Sequence, residues 1–344
     1  MNRTTLQVLG FAAMLPLTIG RAATAAEFIF EDAPFPSCHA STIVELNNGD
    51  LMSAWFGGTA EGRPDVAIWG SRRTGSGWSK PAELAREPNI ATFNPVLFHT
   101  KDNLLWLYYK FGPKPDNWTG ARAMSTDEGK TWSAIEHLPA GLHGPIRAKP
   151  LVMADGTVVS GTSVESYRSW ACWIERSVDN GKTFQRIGPI TVPARDAPAT
   201  ASKGSHGVIQ PSVVSLGGKR LRLYARSTLS IGKIVIADSS DAGLTWTDAR
   251  LTNLPNPNSG IDAVALRDGR VVTVYNHTAK GRSPLNLAVS RDGEHFEMFR
   301  ALETEPGEYS YPAMIQGKNG DLHITYTWQR KRIRYVRVAA AEIP

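Results

Sequence analysis

The chain is poor in cysteine, with only Cys38 and Cys172 in 344 residues. Two cysteines cannot build a disulfide framework, and these two lack metal-ligand spacing. Each reads as a lone buried thiol, with mutual pairing in an exported chain as the alternative. Runs of basic residues are also missing. The formal net charge of +6 is scattered along the sequence, with no block of five or more Lys or Arg. That pattern argues against nucleic acid as a partner, and a mildly cationic surface suits an anionic small substrate. No stretch with a sustained helical period is present, and none beyond the N-terminus is apolar and long enough to span a membrane. No Cys/His cluster recurs, so neither a metal nor a cofactor is expected.

The N-terminus reads "MNRTTLQVLGFAAMLPLTIGRAATAAEF". A basic start at Arg3, an apolar stretch from Leu6 to Ile19 and small residues in "ATAAE" form the layout of a secretory signal peptide. Pro16 and Arg21 interrupt the stretch, which is too short for an anchor. The expectation is a leader at residues 1–25, then one domain over residues 26–344. The mature protein is expected to be a secreted or periplasmic monomer without membrane insertion.

What is abundant is repetition. "STDEGKTW" (Ser125 to Trp132) recurs as "SVDNGKTF" from Ser177, "SSDAGLTW" from Ser239 and the shorter "SRDGEHF" from Ser290. "SRRTGSGW" from Ser71 is a degenerate copy. The serines stand 54, 52, 62 and 51 residues apart, a period that marks propellers or solenoids. Each unit also holds a turn followed by an alternating strand, as in "GDLMSAWFGG", "DGRVVTVYNH" and "GDLHITYTW". A short apolar strand precedes each turn and a third strand follows. Six such units predict an all-β, six-bladed β-propeller with four-stranded antiparallel blades. The last unit is short, and "EFIFED" near the N-terminus is the expected fourth strand. The recurring box is then a turn. Its Asp accepts backbone N–H bonds, its Gly takes a conformation that a Cβ opposes, and its aromatic packs between blades.

If the boxes occupy one rim, chemistry belongs on the other. Before the first strands stand His39, Asn94, Lys149, Gln210, Asp262 and Tyr311. Near the ends of the second strands stand Glu61, Lys110, Glu165, Arg226, His277 and Arg330. Near the starts of the third strands stand Arg63, Asp65, Arg122, Arg168 and Arg282. Polar residues at equivalent places in successive repeats converge on one pocket. Each has a plainer reading: Asn94, Lys149 and Gln210 as strand anchors before Pro, His39 as a core histidine, Glu165 as a surface partner of Arg168, Tyr309 and Tyr311 as packing aromatics.

The boxes resemble the Asp-box repeats of sialidases (neuraminidases). "SCHASTIVEL", "LPNPNSGIDAV", "YNHTAKGRSPLN" and "EPGEYSYPA" are similar to the bacterial sialidase-like group. The resemblance implies a glycoside hydrolase of acidic glycans, with three arginines on the substrate carboxylate, a Tyr nucleophile assisted by Glu, and an Asp acid/base. A neutral Tyr is suited to a reacting carbon that bears a carboxylate, and sialidases are the exception among glycosidases in using one. On this pattern Arg226 and Arg282 fill two arginine places. Tyr311 fills the nucleophile place, with Tyr309 as neighbouring option. Glu61 lies near the acid/base place, with Asp65 as runner-up. Gln210 stands where Glu is expected and His39 where the first Arg is expected, and His39 is the alternative to Glu61 as proton donor. Arg63, Asn94, Lys110, Lys149, Glu165 and His277 are the further candidates for substrate contact. An amide cannot serve as base to Tyr, so two alternatives stand: a rhamnose- or uronic-acid-directed glycosidase or lyase, and a non-catalytic glycan-binding propeller.

Overall fold

The computed structural model describes residues 25–196 and 205–344. Apart from Ala25, the expected leader lies outside the described residues. The described chain is all-β, with two 3-10 turns (Pro115–Asn117 and Ala340–Glu342) as its only helical pieces. Strands follow one another as antiparallel meanders. The first runs through Ser37–Glu45, Leu51–Gly58 and Ala67–Thr74 to the short Gly77–Trp78 and Ala82–Ala85. The second runs through Thr92–His99, Leu105–Phe111, Thr119–Ser125 and Glu136–His137. The third comprises Leu151–Val152, Val158–Glu165, Ser169–Ser177 and Gln185–Ile190. A parallel pairing of Ser169 and Trp170 with His206 and Gly207 joins it to the fourth, which continues from His206–Ser215 through Leu221–Ser227 and Lys233–Ser239 to Arg250–Pro255. Asp262–Ala265, Val271–Asn276, Leu285–Ser290 and Glu297–Glu303 make the fifth. Tyr309–Gln316, Leu322–Trp328 and Arg332–Val338 make the sixth, and its edge pairs with Ala25–Phe28. That N-terminal strand begins two residues earlier than "EFIFED" and ends at Phe28.

Second strands were read as alternating, but Leu51–Gly58 and Val271–Asn276 are buried at every residue. Meanders cover both faces of these middle strands, so both sets of side chains are enclosed. The edge strand Glu297–Glu303, by contrast, has no buried residue.

Neighbouring meanders are stitched by side chain to backbone. Thr42 Oγ1 accepts from Leu97 N, Asn94 Nδ2 donates to Ile146 O, and Ser163 Oγ accepts from Gln210 N. Ser212 Oγ accepts from Ala263 N, Asp262 Oδ2 from Met314 N, and Thr327 Oγ1 from Ala40 N. The last of these links the sixth meander back to the first.

The boxes fold as self-contained turns. Asp127 Oδ1 accepts from Thr131 N at 2.9 Å and Oδ2 from Thr131 Oγ1 at 2.6 Å, while Ser125 Oγ accepts from Gly129 N. Asp179 and Asp241 repeat this with Thr183 and Thr245, and His295 replaces Thr beside Asp292. These bonds hold the carboxyls of Asp179 and Asp241 down to about 2. The "SRRTGSGW" copy lacks the Asp and is a plain hairpin between Ala67–Thr74 and Gly77–Trp78. Box aromatics do pack across meanders, as Phe296 on Tyr224 and Trp78 on Tyr335 show. Arg122 reaches the neighbouring box at Gly181 O, so it belongs to this rim and not to the opposite one.

Candidate functional site

Four first strands carry one extra residue against their partners, at Ala40, Asn94, Gln210 and Tyr311, all with left-handed backbone (φ 56, 42, 56 and 51). Such a backbone is costly for a side chain with a Cβ and is kept where the surroundings enforce it. Counting back from the hairpin pairs Glu45–Leu51, Val152–Val158 and Gln316–Leu322 sets Arg147 level with Ala40 and Tyr311. Lys149 and Asp262 then lie two residues deeper, and His39 one residue before its expected level. The register read from the sequence is therefore corrected at three of six strands. A proline follows the extra residue at Asn94, Gln210 and Tyr311, but in the third meander Pro150 follows Lys149 instead.

The side chains that meet at this level surround Tyr311. Its hydroxyl accepts from Arg226 Nη1 at 2.9 Å and from Gln210 Nε2 at 3.2 Å. Gln210 Oε1 accepts from Arg226 Nη1, which fixes the amide with its nitrogen toward the tyrosine. Arg226 Nε is held by Asn258 Oδ1. The guanidinium carbons of Arg147, Arg226 and Arg282 lie 5.5, 5.8 and 5.6 Å from the Tyr311 ring centroid, within cation–π range. The His39 ring is 4.2 Å away.

At the outer edge a charge ladder runs from Glu61 through Arg330 and Glu308 to Arg282. Arg330 pairs with Glu61 and, at 2.9 Å, with Glu308, whose same oxygen takes Arg282 Nη1 at 2.7 Å. Burial would raise the Glu308 carboxyl, but Arg282 and Arg330 outweigh it and hold it low. Arg282 and Arg330 are thus ion-paired, while Arg147 and Arg226 donate to neutral oxygens. Burial, then the fields of Arg330, Arg282, Arg147 and Arg226, hold His39 well below its ordinary value, so its imidazole is neutral. Glu165, at the end of its strand, is pushed up by burial against the opposing charge of Arg226.

The other candidates are placed differently. Tyr309 is buried in the apolar cluster with Met314 and Tyr326. Asn94 and Lys110 are buried with their polar ends on Ile146 O and Pro145 O. Lys149 pairs at 3.0 Å with buried Asp262. Asp65 is exposed, and Thr59 N and Oγ1 hold its carboxylate low. Arg63 and His277 are exposed. Cys38 and Cys172 are free, buried thiols. Arg147 and Glu308 were missed. Counting back a fixed five residues from the hairpin pair would have found Arg147.

Residues 49–324 match the family described as BNR repeat-like domain, and the chain belongs to it. A sialidase of Bacteroides fragilis (strain YCH46) is 27% identical over 190 residues, which is 50% of this chain and 32% of that protein. The chain thus spans about a third of that relative. Among solved structures, the NanB sialidase of Streptococcus pneumoniae superposes with a TM-score of 0.75 at 12% identity, over 92% of this chain and 71% of its own. A protein of unknown function from Dyadobacter fermentans DSM 18053 gives 0.73 at 17% identity, over 93% and 100%. The intramolecular trans-sialidase of Ruminococcus gnavus, in complex with oseltamivir carboxylate, gives 0.71 at 13%, over 92% and 98%. At these identities the likeness is one of fold.

Proposed function

We propose that the protein is a six-bladed propeller that cleaves a terminal, carboxylate-bearing sugar from glycans, acting on the exported side of the cell. The six meanders and the six stitches between them support the blade count. The observation that carries the chemistry is the convergence of Arg147, Arg226 and Arg282 on Tyr311. Arg226 and Arg282 would fork onto the carboxylate of the sugar, as guanidinium groups do bidentately. The Ruminococcus gnavus neighbour is in complex with oseltamivir carboxylate, a ligand that carries such a carboxylate.

Tyr311 already accepts two N–H bonds, so its own hydrogen points at whatever fills the site. It would stabilise charge at the reacting carbon or deliver a proton. His39, held neutral, is no acid, and Glu61 is spent on Arg330. Glu165, whose carboxyl is pushed up by burial, is the remaining candidate for proton donor. Gln210 favours a second reading, a glycan-binding propeller without turnover, because its amide gives Tyr311 no base.

Purified protein should be incubated with sialosides and uronate-terminated oligosaccharides and the products weighed. Release of an acidic sugar with gain of water, abolished in Tyr311→Phe, is expected. An unsaturated product without added water points to elimination. Binding that survives Tyr311→Phe with no product would establish the second reading.

A further inference from the structure

Arg147 is 2% exposed and belongs to no regular strand, yet the residues just before it are held in place. Glu175 accepts from the amides of His143 and Gly144 at 2.9 and 2.7 Å. Lys110 Nζ donates to Pro145 O, Asn94 Nδ2 to Ile146 O, and Ile146 N to Gly161 O. Side chains of the second and third meanders therefore hold four successive residues in front of Arg147. Burial is the main influence on both charged members, lowering Lys110 to about 7 and raising Glu175 to about 7. Burying two ionisable groups costs desolvation, so such an arrangement is better explained by the geometry it imposes.

That geometry aims Arg147 across the centre of the molecule. Its guanidinium donates to Ile261 O at 3.3 Å and to the carbonyl of Pro312, the residue after Tyr311. It sits 5.5 Å from the Tyr311 ring centroid, and its Nε, like His39 Nδ1 beside the same ring, has no partner. Burial lowers the pKa of Arg147, and Asp262, which also takes Lys149, Ser212 and Met314 N, is the carboxylate whose field opposes that.

We infer that Arg147 is a positioning residue of this site: through Pro312 it fixes the left-handed backbone of Tyr311, and it sets a buried positive charge over the tyrosine ring without touching the ligand. This rests on the reading of Tyr311 as the group that meets the substrate. The consequence is separable from ligand binding. Arg282 is part-exposed beside the tyrosine ring, so its loss weakens affinity. Arg147 is enclosed, so its loss leaves affinity and lowers the rate.

The test combines Arg147→Lys and Arg147→Met with a probe that needs no turnover, 3-fluorotyrosine placed at position 311 and followed by 19F NMR. The resonance should move in both variants, and more in Arg147→Met. On a sialoside, kcat should fall at least tenfold in Arg147→Met with KM within twofold, and Arg147→Lys should recover part of it. An unmoved resonance overturns the inference, as does a raised KM with unchanged kcat. If the unaltered protein turns over no acidic glycan, the functional reading fails and the NMR comparison alone decides the role of Arg147. If Arg147→Met does not fold, Arg147→Lys carries both measurements.

Discussion

At position 210 an amide stands where a carboxylate would take the proton of Tyr311. Because Arg226 already occupies Gln210 Oε1, the amide must offer its N–H to the tyrosine. Gln210→Glu reverses that bond with little change in shape. The carboxylate can then accept from the hydroxyl, and a positioned base contributes roughly 10²–10⁴ in rate. Turnover of a sialoside by Gln210→Glu should therefore rise by about 10²-fold or more, as measured by initial rates at saturating substrate. No rise would mean that Tyr311 does not depend on a neighbouring base. Gln210, Tyr311, Arg226 and Arg282 were legible in the sequence because each lies in a stretch with a family counterpart. Glu308 and Arg147 were not. Glu308 works by binding Arg282 and Arg330 from two meanders at once, and no spacing along the chain shows such a meeting.

Among elements, the boxes and the first strands divide the labour. A box closes on itself: the Asp carboxylate satisfies N–H groups that the turn would leave bare, and two left-handed residues such as Glu128 and Gly129 (φ 62 and 77) turn the chain. Asp127→Ala removes those acceptors at a place remote from Tyr311. Its melting temperature should fall while kcat/KM of the folded protein stays within about twofold, since no shared partner couples the two places. A large loss of activity without loss of stability would assign the box a chemical role. The boxes were legible because such turns are local in sequence. The left-handed steps in the first strands were not, because they depend on pairing across the sheet. In the third meander the level lies two residues before Lys149.

Across the whole molecule, one buried carboxylate ties distant parts together. Asp262 of the fifth meander takes Lys149 from the third, Ser212 from the fourth and Met314 N from the sixth, and its field supports Arg147. Arg147 is enclosed within that field, while Arg282 and Arg330 stay part-exposed at the outer edge. The all-β repeat architecture was read from periodicity, which survives in any one chain. The layering of charges along the centre was not, since it is set by the depth at which each strand enters. The most direct test of the acidic-sugar site uses Arg282→Ala, in which the guanidinium at the open edge is lost and the core is untouched. Losing a charge-assisted contact in a partly enclosed site costs about 2–5 kcal/mol, or roughly thirty- to several-thousand-fold in affinity. Calorimetric titration with a carboxylated sialic-acid analogue, beside a melting curve, should show that loss with nearly unchanged melting temperature. Unchanged affinity in Arg282→Ala would contradict the account.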